Sequence, residues 1–175
     1  MKNLLLVLSL IPIIVRGQQN SNPTELSKLN HSYIKSIDNL TLDAAYTLSN
    51  RAMKKAHELD KNVAIAVLDA SGNIILIIRG DTVGIHNTEA ARRKAYTALS
   101  TKTSTLELLQ KAHNNPLIEN LNTLPELLLL SGGTPIWYRG NVVGSIGIAG
   151  GGSPENDDLI AKSASINETG ITTSK

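Results

Sequence analysis

The stretch GIHNTEAARRK, residues 84 to 94, places a histidine and three basic side chains within about three turns of a predicted helix. Asn87 is predicted to cap that helix, and the positive end of the helix dipole favours the neutral ring of the preceding His86. A neutral imidazole can coordinate iron or accept a proton. The basic residues that follow are candidates for binding the carboxylates of a ligand: Arg92, Arg93 and Lys94.

Two other interpretations of this stretch stay open. An exposed histidine beside a helix cap needs no ligand, and Glu89 lies four residues before Arg93, the spacing of a solvated ion pair. In a small enzyme, His86 would act as the general acid or base while an arginine holds a substrate carboxylate. Asp81 or Asp157 would then orient the imidazole.

Other common classes of site find no matching pattern. The chain contains no cysteine, and its four histidines lack the H-E-x-x-H spacing of a metal site. The G-x-S-x-G turn of a serine hydrolase is absent as well. The run GIAGGGSPEN, residues 147 to 156, resembles a phosphate-binding loop only in its glycines, because it has no Walker lysine and carboxylates follow it.

The composition is that of one globular domain. Hydrophobic residues make up 41% of the 175 residues and charged residues 18%, a balance that supports a packed core. The 17 basic residues against 15 acidic ones give a net charge of +2, too small for a nucleic-acid surface without strong clustering. We therefore expect no nucleic-acid partner.

The N-terminus has the three parts of a secretory signal peptide: Lys2, an apolar run from Leu4 to Val15, and Gly17 as a small residue at the cleavage point. The apolar run is shorter than the roughly 20 residues of a membrane-spanning helix. The mature protein would be secreted or periplasmic without stable membrane insertion, and a retained anchor is the alternative. The predicted boundaries are residues 1 to 17 for the signal peptide, 18 to 39 for a flexible leader and 40 to 170 for the domain.

The elements that must position the candidate residues follow from hydrophobic spacing and turn residues. A helix is predicted from Thr41 to Asp60, followed by the strands NVAIAVLD and IILIIR with the turn DASGN between them. Beyond the helix that begins at Asn87, a short helix begins around Ser104 and ends at residues 114 to 116, Asn-Asn-Pro.

The C-terminal third contains a second predicted hairpin and a last helix. One strand runs through Ile136 to a turn at residues 140 and 141, the next covers residues 142 to 149, and a helix capped by Ser153 follows. The leucine-rich segment over residues 117 to 130 has no decisive period. The order of elements predicts an α+β fold with an antiparallel sheet.

One face of the last long strand carries mainly small side chains. Such a face favours close approach by a helix, a partner chain or a flat ligand. Together with the leucine-rich segment, it predicts a homo-oligomer. The residues of this face are Val143, Ser145, Gly147 and Ala149.

Four segments in order resemble the GlcG/HbpS-like family of haem-associated proteins, over roughly residues 40 to 166. They are VAIAVLDASGNIILIIRGD, HNTEAARRKAYTALSTKT, LLSGGTPIWYRGNVVGSIGIAGG and ENDDLIAKSA. The resemblance implies a profilin-like α/β/α sandwich with about five antiparallel strands, assembled into dimers or larger rings. It also implies haem binding, with haem degradation or redox sensing in some members. Many members have no histidine at the position of His86.

The resulting expectation is an exported haem- or tetrapyrrole-binding protein. His86 is the expected axial ligand of the iron, and Arg92, Arg93 and Lys94 are expected near the haem propionates. The chain has no phenylalanine and one tryptophan, so the expected haem site is shallow and lies between subunits. The alternatives are a small enzyme acting on a carboxylate-bearing metabolite and an oligomeric sensory module without chemistry of its own.

Overall fold

The described residues, 33 to 175 of this computed structural model, alternate β-hairpins with helices in the order that the sequence predicts. The predicted signal peptide and most of the predicted leader lie outside the described residues. Residues 33 to 36 belong to one unit, and residues 37 to 175 form a second unit that contains the elements named below. Within this described range, no helix is long and apolar enough to cross a membrane.

The helices are α1 (Leu42–Glu58), α2 (His86–Thr101), α3 (Thr105–His113), α4 (Pro116–Glu119) and α5 (Pro154–Lys162). Short 3-10 helices cover Asn120–Thr123 and Asn167–Thr169. Side-chain oxygens that accept backbone N–H groups begin three of the helices as predicted, because they satisfy donors that have no partner inside the helix. These caps are Thr41 for α1, Ser104 for α3 and Ser153 for α5.

The strands are β1 (Ala64–Asp69), β2 (Ile74–Arg79), β3 (Gly133–Tyr138), β4 (Asn141–Ala149) and β5 (Ile171–Thr172). They form one sheet in the order β2-β1-β4-β3-β5, and every neighbouring pair is antiparallel. The α+β fold expected from the sequence is therefore confirmed. The short strand β5 lies beyond residue 170, where the predicted domain ends.

The first hairpin is closed by the expected turn residues, and the turn of the second lies one residue earlier than predicted, at Arg139 and Gly140. The Oδ1 atom of Asp69 accepts the backbone N–H of Ser71 at 2.9 Å and that of Asn73 at 2.8 Å. In the second hairpin, Arg139 and Gly140 have φ values of 49° and 78°, the left-handed pair of a type I′ turn. Such a turn matches the twist of the two strands that it joins.

The centre of the sheet is the pairing of β1 with β4, which sets Ala64 opposite Ala149 and Asp69 opposite Gly144. Strand β1 is covered on both faces, as its unbroken apolar pattern predicts. Its isoleucine and valine pack into the layer formed by α1 and α5, where Leu48 and Ile160 are fully buried. Its alanines and leucine face the layer formed by α2.

Helix α2 lies unusually close to the sheet, because glycines stand where its backbone crosses β3 and β4. A Cβ atom added at Gly147 would overlap the backbone carbonyl oxygen of Ala91, and one added at Gly133 would overlap that of Lys94. The helix presents Ala91, Ala95 and Ala98 to the same interface, and all three are fully buried. The small residues on both sides therefore allow contact between backbones rather than between large side chains.

The small-residue face of β4 is thus occupied by α2 of the same chain, which is one of the three options that the sequence leaves open. Val143, which is predicted to lie on the same face, lies on the opposite face of the sheet. Ile136 pairs with Gly144 and Trp137 with Val142, so a bulge leaves Val143 without an opposite residue. Its side chain packs in the layer of α1 and α5 instead.

The predicted N-cap of α2 is two residues too late, and no side-chain cap is present. The helix begins at His86 with Ile85 in the N-cap position, and no side chain caps it. The backbone N–H of Asn87 already bonds to the carbonyl of Gly84 at 3.0 Å. Because the chain turns helically before Asn87, the side chain of that residue is past the position from which it could cap.

We expect Gly147→Ala to lower the free energy of unfolding by about 1–3 kcal/mol or more, because α2 must move off the sheet to admit one methyl group. Urea denaturation measures this change. Asn141→Ala, at the exposed start of the same strand, is the control and should stay within about 0.5 kcal/mol of the unchanged protein. Equal stability of Gly147→Ala and the unchanged protein would contradict the close contact.

Candidate functional site

The imidazole of His86 is exposed at the first residue of α2. The ring lies over the preceding loop, since a Cβ atom added at Gly84 would be 2.8 Å from Cε1 of the ring. Neither ring nitrogen is engaged in a hydrogen bond with a described residue. The next side chain outward is Ile85, which is 79% exposed. A ligand that approaches this end of α2 therefore meets an accessible imidazole beside an apolar side chain.

His86 and Arg93 share one face of α2. They are seven positions apart, which corresponds to nearly two helical turns and about 10.5 Å along the helix axis. Ala90 lies between them on that face and is half-buried. We call these three residues the α2 strip. It consists of an imidazole at one end, a guanidinium at the other and a small side chain in the middle.

Arg93 is only partly bonded. Its Nη2 atom donates to the backbone carbonyl of Leu127 at 2.6 Å. Its Nε atom is buried and has no hydrogen-bond partner among the described residues. An arginine has five N–H donors, so the Nη donors that are not bonded to Leu127 are left for an acceptor from outside the chain, while the buried Nε donor is out of its reach.

Arg92 is held between two glutamates. It donates to both carboxylate oxygens of Glu89, at 2.7 and 2.9 Å, and to Oε2 of Glu126 at 2.8 Å. These bonds hold the pKa of Glu89 below its ordinary value and raise the pKa of Arg92. The expected pair between Glu89 and Arg93 is replaced by this bidentate pair at a spacing of three residues. Arg92 is therefore already neutralised by carboxylates of its own chain.

Lys94 lies in the interior and not with the two arginines. Its side chain is 6% exposed, and its Nζ atom donates to Oδ2 of Asp157 at 2.7 Å and to the carbonyl of Ile148 at 2.9 Å. The other oxygen of Asp157 accepts the backbone N–H of Gly151 at 2.7 Å. The expectation of Lys94 beside a ligand carboxylate at the surface does not agree with this placement. Its ammonium instead ties α2 to β4 and α5.

The same contacts bear on the acid–base alternative. Both oxygens of Asp157 are engaged by Lys94 and Gly151, so this carboxylate is not available to orient His86. Asp81 is exposed, and its side chain makes no hydrogen bond with the part of the chain that the structure describes. The carboxylate partner that an acid–base histidine needs is thus not in place.

Two contacts of the site were not found in the sequence. Glu126 and Leu127 belong to the leucine-rich segment that shows no decisive period, and they run beside α2 in an irregular conformation. The segment is fixed there because the N–H of Leu128 donates to Oγ1 of Thr97 at 2.8 Å. These contacts join residues more than 30 positions apart, and no local pattern in the sequence signals them.

Among the described residues, the other histidines do not form a second candidate site. His57 and His113 are exposed on α1 and α3, and His31 is outside the described residues. Across residues 33 to 175, no group of three or more histidine, aspartate and glutamate side chains could hold a metal ion.

Comparison with known proteins identifies the family of the chain. The model of the family described as haem degrading protein HbpS-like matches residues 40 to 165. An uncharacterised 15.0 kDa protein from the dhaT-dhaS intergenic region of Citrobacter freundii is 29% identical over 130 residues, which are 73% of this chain and 91% of that protein. The corrinoid adenosyltransferase PduO of the same organism is 31% identical over 127 residues, but this chain covers only 38% of it.

Solved structures share the fold. A crystal structure of HbpS has a TM-score of 0.71 at 34% identity and covers 76% of this chain and 92% of its own. The crystal structure of a PduOC:heme complex has a TM-score of 0.68 at 28% identity and covers 78% of this chain and 99% of its own. The described unit therefore corresponds to nearly the whole of each of these chains.

We expect Lys94→Met to lower the free energy of unfolding by about 3–5 kcal/mol, because it leaves the charge of Asp157 buried without its partner. The double variant Lys94→Met/Asp157→Asn removes that stranded charge and should recover part of the loss. Denaturant unfolding of both variants measures the difference. Lys111→Met breaks a pair with Glu107 that is exposed on both sides and serves as the control, with an expected loss below about 1 kcal/mol.

Proposed function

This chain belongs to the HbpS-like family of haem-degrading proteins, and from that membership we propose that it binds haem at the α2 strip. His86 is the proposed axial ligand of the iron, and Arg93 is the proposed partner of a propionate. The observation that carries the proposal is an accessible imidazole in line with a partly bonded guanidinium. The similarity to the PduOC:heme complex supports haem as the ligand.

The residues of the strip fit the chemical groups of haem. A histidine nitrogen is a standard axial ligand of haem iron. Arg93 retains donors for a carboxylate on its Nη atoms, of which one bond goes to Leu127, whereas its Nε atom is buried. The small side chain of Ala90 and the exposed side chain of Ile85 offer apolar contacts to a flat ring. Haem would supply redox chemistry at its iron, and the axial ligand would tune that chemistry.

The other basic residues contribute less to this site. Arg92 would have to exchange Glu89 or Glu126 for a propionate, so we assign it a minor role. Lys94 is left out because its ammonium is buried against Asp157. We also place the enzyme alternative second, since no described carboxylate orients His86. A sensory module that binds haem would use the same strip and differs only in what the bound haem signals.

Export and self-association are further parts of the proposal. The signal-peptide pattern of residues 1 to 17 supports a secreted or periplasmic location.

Strand β2 supports association between copies of the chain, because it is an edge of the sheet and exposes Ile74 and Ile77. A site that lies on one helix face is shallow, and a second copy would cover the other side of the ligand. Light scattering on the mature protein tests the proposed self-association, and a molar mass equal to that of the monomer would contradict it.

We expect His86→Ala to abolish the low-spin Soret band of the haem complex or to shift it strongly to the blue, with little change in thermal stability. The reason is that an exposed first residue of a helix contributes little packing. Haem titration followed by absorbance measures the effect. His57→Ala replaces another exposed histidine and should leave the spectrum unchanged. An unchanged spectrum and affinity in His86→Ala would show that this histidine does not bind the iron.

We expect Arg93→Gln to weaken haem binding by about threefold to tenfold in dilute buffer and by less at high salt, because ionic contacts near the surface are screened. Arg92→Gln should weaken it less, since Glu89 and Glu126 already occupy that guanidinium. Affinities from Soret titrations at two ionic strengths measure both changes. A larger effect of Arg92→Gln than of Arg93→Gln would contradict the assignment of the propionate to Arg93.

A further inference from the structure

A second cleft lies away from the α2 strip and contains the only tryptophan of the chain. Its volume is about 480 Å³, which is within the range of small-molecule sites. The start of α3, strand β3 and the residues after β5 form its walls. The side chains that matter for its chemistry are Lys102, Ser104, Trp137, Lys162, Thr173 and Lys175.

The cleft exists because β5 is only two residues long. It pairs with Trp137 and Tyr138, so Thr134 and Pro135 of β3 have no partner in β5 and line the cleft instead. The chain after β5 is fixed as the opposite wall by three hydroxyl contacts. Thr173 donates to the carbonyl of Lys162 at 2.7 Å and lies 3.0 Å from Ser165 Oγ, and Thr134 donates to the carbonyl of Thr173 at 3.3 Å. The walls of the cleft are therefore fixed by contacts within the fold.

The charge in the cleft is positive. Lys102 and Lys175 form no ion pair with a described residue, whereas Lys162 is paired with Asp158 at 2.6 Å. The acidic side chain at the rim, Glu107, is paired with Lys111 at 2.7 Å. Lys102 also ends α2 in a left-handed conformation, with φ of 51°. This helix end accordingly presents an ammonium where glycine or asparagine is usual.

Trp137 is one of the side chains that line the cleft. The ammonium of Lys175 lies 5.4 Å from the centre of the ring, in a cation–π contact. Trp137 belongs to β3 and is half-buried, so the sheet limits the movement of its indole. Aromatic rings stack on the face of an indole, and a ring that displaces the Lys175 ammonium and carries a negative group would place that group among the lysines.

We propose that this cleft binds a planar aromatic anion, that is, a ring of mononucleotide size or smaller that carries a phosphate or carboxylate group. The ring stacks on Trp137 in place of the Lys175 ammonium, and Lys102 and Lys175 bind the anionic group. The site is separate from the haem site proposed above, because it shares no residue with the α2 strip. Its occupation does not depend on whether haem binds.

The experiment is a titration of the haem-free protein followed by tryptophan emission, which reports on Trp137 alone. The probes are adenosine 5′-monophosphate as an aromatic phosphate and benzoate as an aromatic carboxylate. Adenosine and inorganic phosphate supply the two halves of the first probe separately. We expect saturable quenching by at least one aromatic anion, at a lower concentration than either half requires. Binding of inorganic phosphate as tight as that of the monophosphate, or no saturable response to either aromatic anion, would overturn the proposal.

Calorimetry on variants assigns the residues. Trp137→Leu should weaken binding of the effective probe by about tenfold, the expected loss of one stacking contact. Lys102→Asn removes the charge but keeps a residue that tolerates the left-handed conformation, and it should weaken binding by about threefold to tenfold in a salt-dependent way. The control Lys54→Gln removes an exposed lysine of α1 and should change nothing. Equal affinities for Lys102→Asn and Lys54→Gln would show that Lys102 does not bind the anionic group. His86→Ala should leave binding of the probe unchanged, because the two sites are separate.

Discussion

The contact of α2 with the sheet through Gly133 and Gly147 is the constraint on which the rest of the structure depends. Because the backbones are in contact at these glycines, the distance between α2 and the sheet is fixed, and α2 cannot shift along the sheet without a steric clash. That position brings the ammonium of Lys94 within reach of Asp157 and the carbonyl of Ile148. The burial of the Lys94 ion pair is thus linked to two glycines that are distant from Lys94 in sequence.

The three consecutive basic residues of α2 show how strongly a helix separates the roles of neighbours. Successive side chains point about 100° apart, so one run of like charges enters three environments. Arg92 is neutralised by two glutamates, Arg93 is half-satisfied by a backbone carbonyl, and Lys94 is buried in an ion pair. Net charge and clustering in the sequence give no indication of this division. The part of the run available to a ligand is therefore one guanidinium rather than three cations.

The elements were predictable where the signal is local. Asp69 and Gly140 close hairpins, and Thr41, Ser104 and Ser153 begin helices, because each acts within four residues of its own position. The errors have a common physical origin in long-range contact. The burial of the Lys94 ammonium depends on its ion pair with Asp157. The neutralisation of Arg92 depends in part on Glu126, which lies in a segment without hydrophobic periodicity. The missing cap at Asn87 is a local error, since the helix has its N-cap position two residues earlier, at Ile85.

The pairing of β1 with β4 at the centre of the sheet has a consequence for how the chain folds. Each hairpin can form by itself, but the sheet has no central pair until Ala149 is present to meet Ala64. Contacts between such distant residues form slowly, because a long loop must close before they contribute stability. A nascent chain of this topology stays without a core until nearly all of the domain has been synthesised. Such a delay is what a chain needs if it is to be threaded through a translocation channel before it becomes compact.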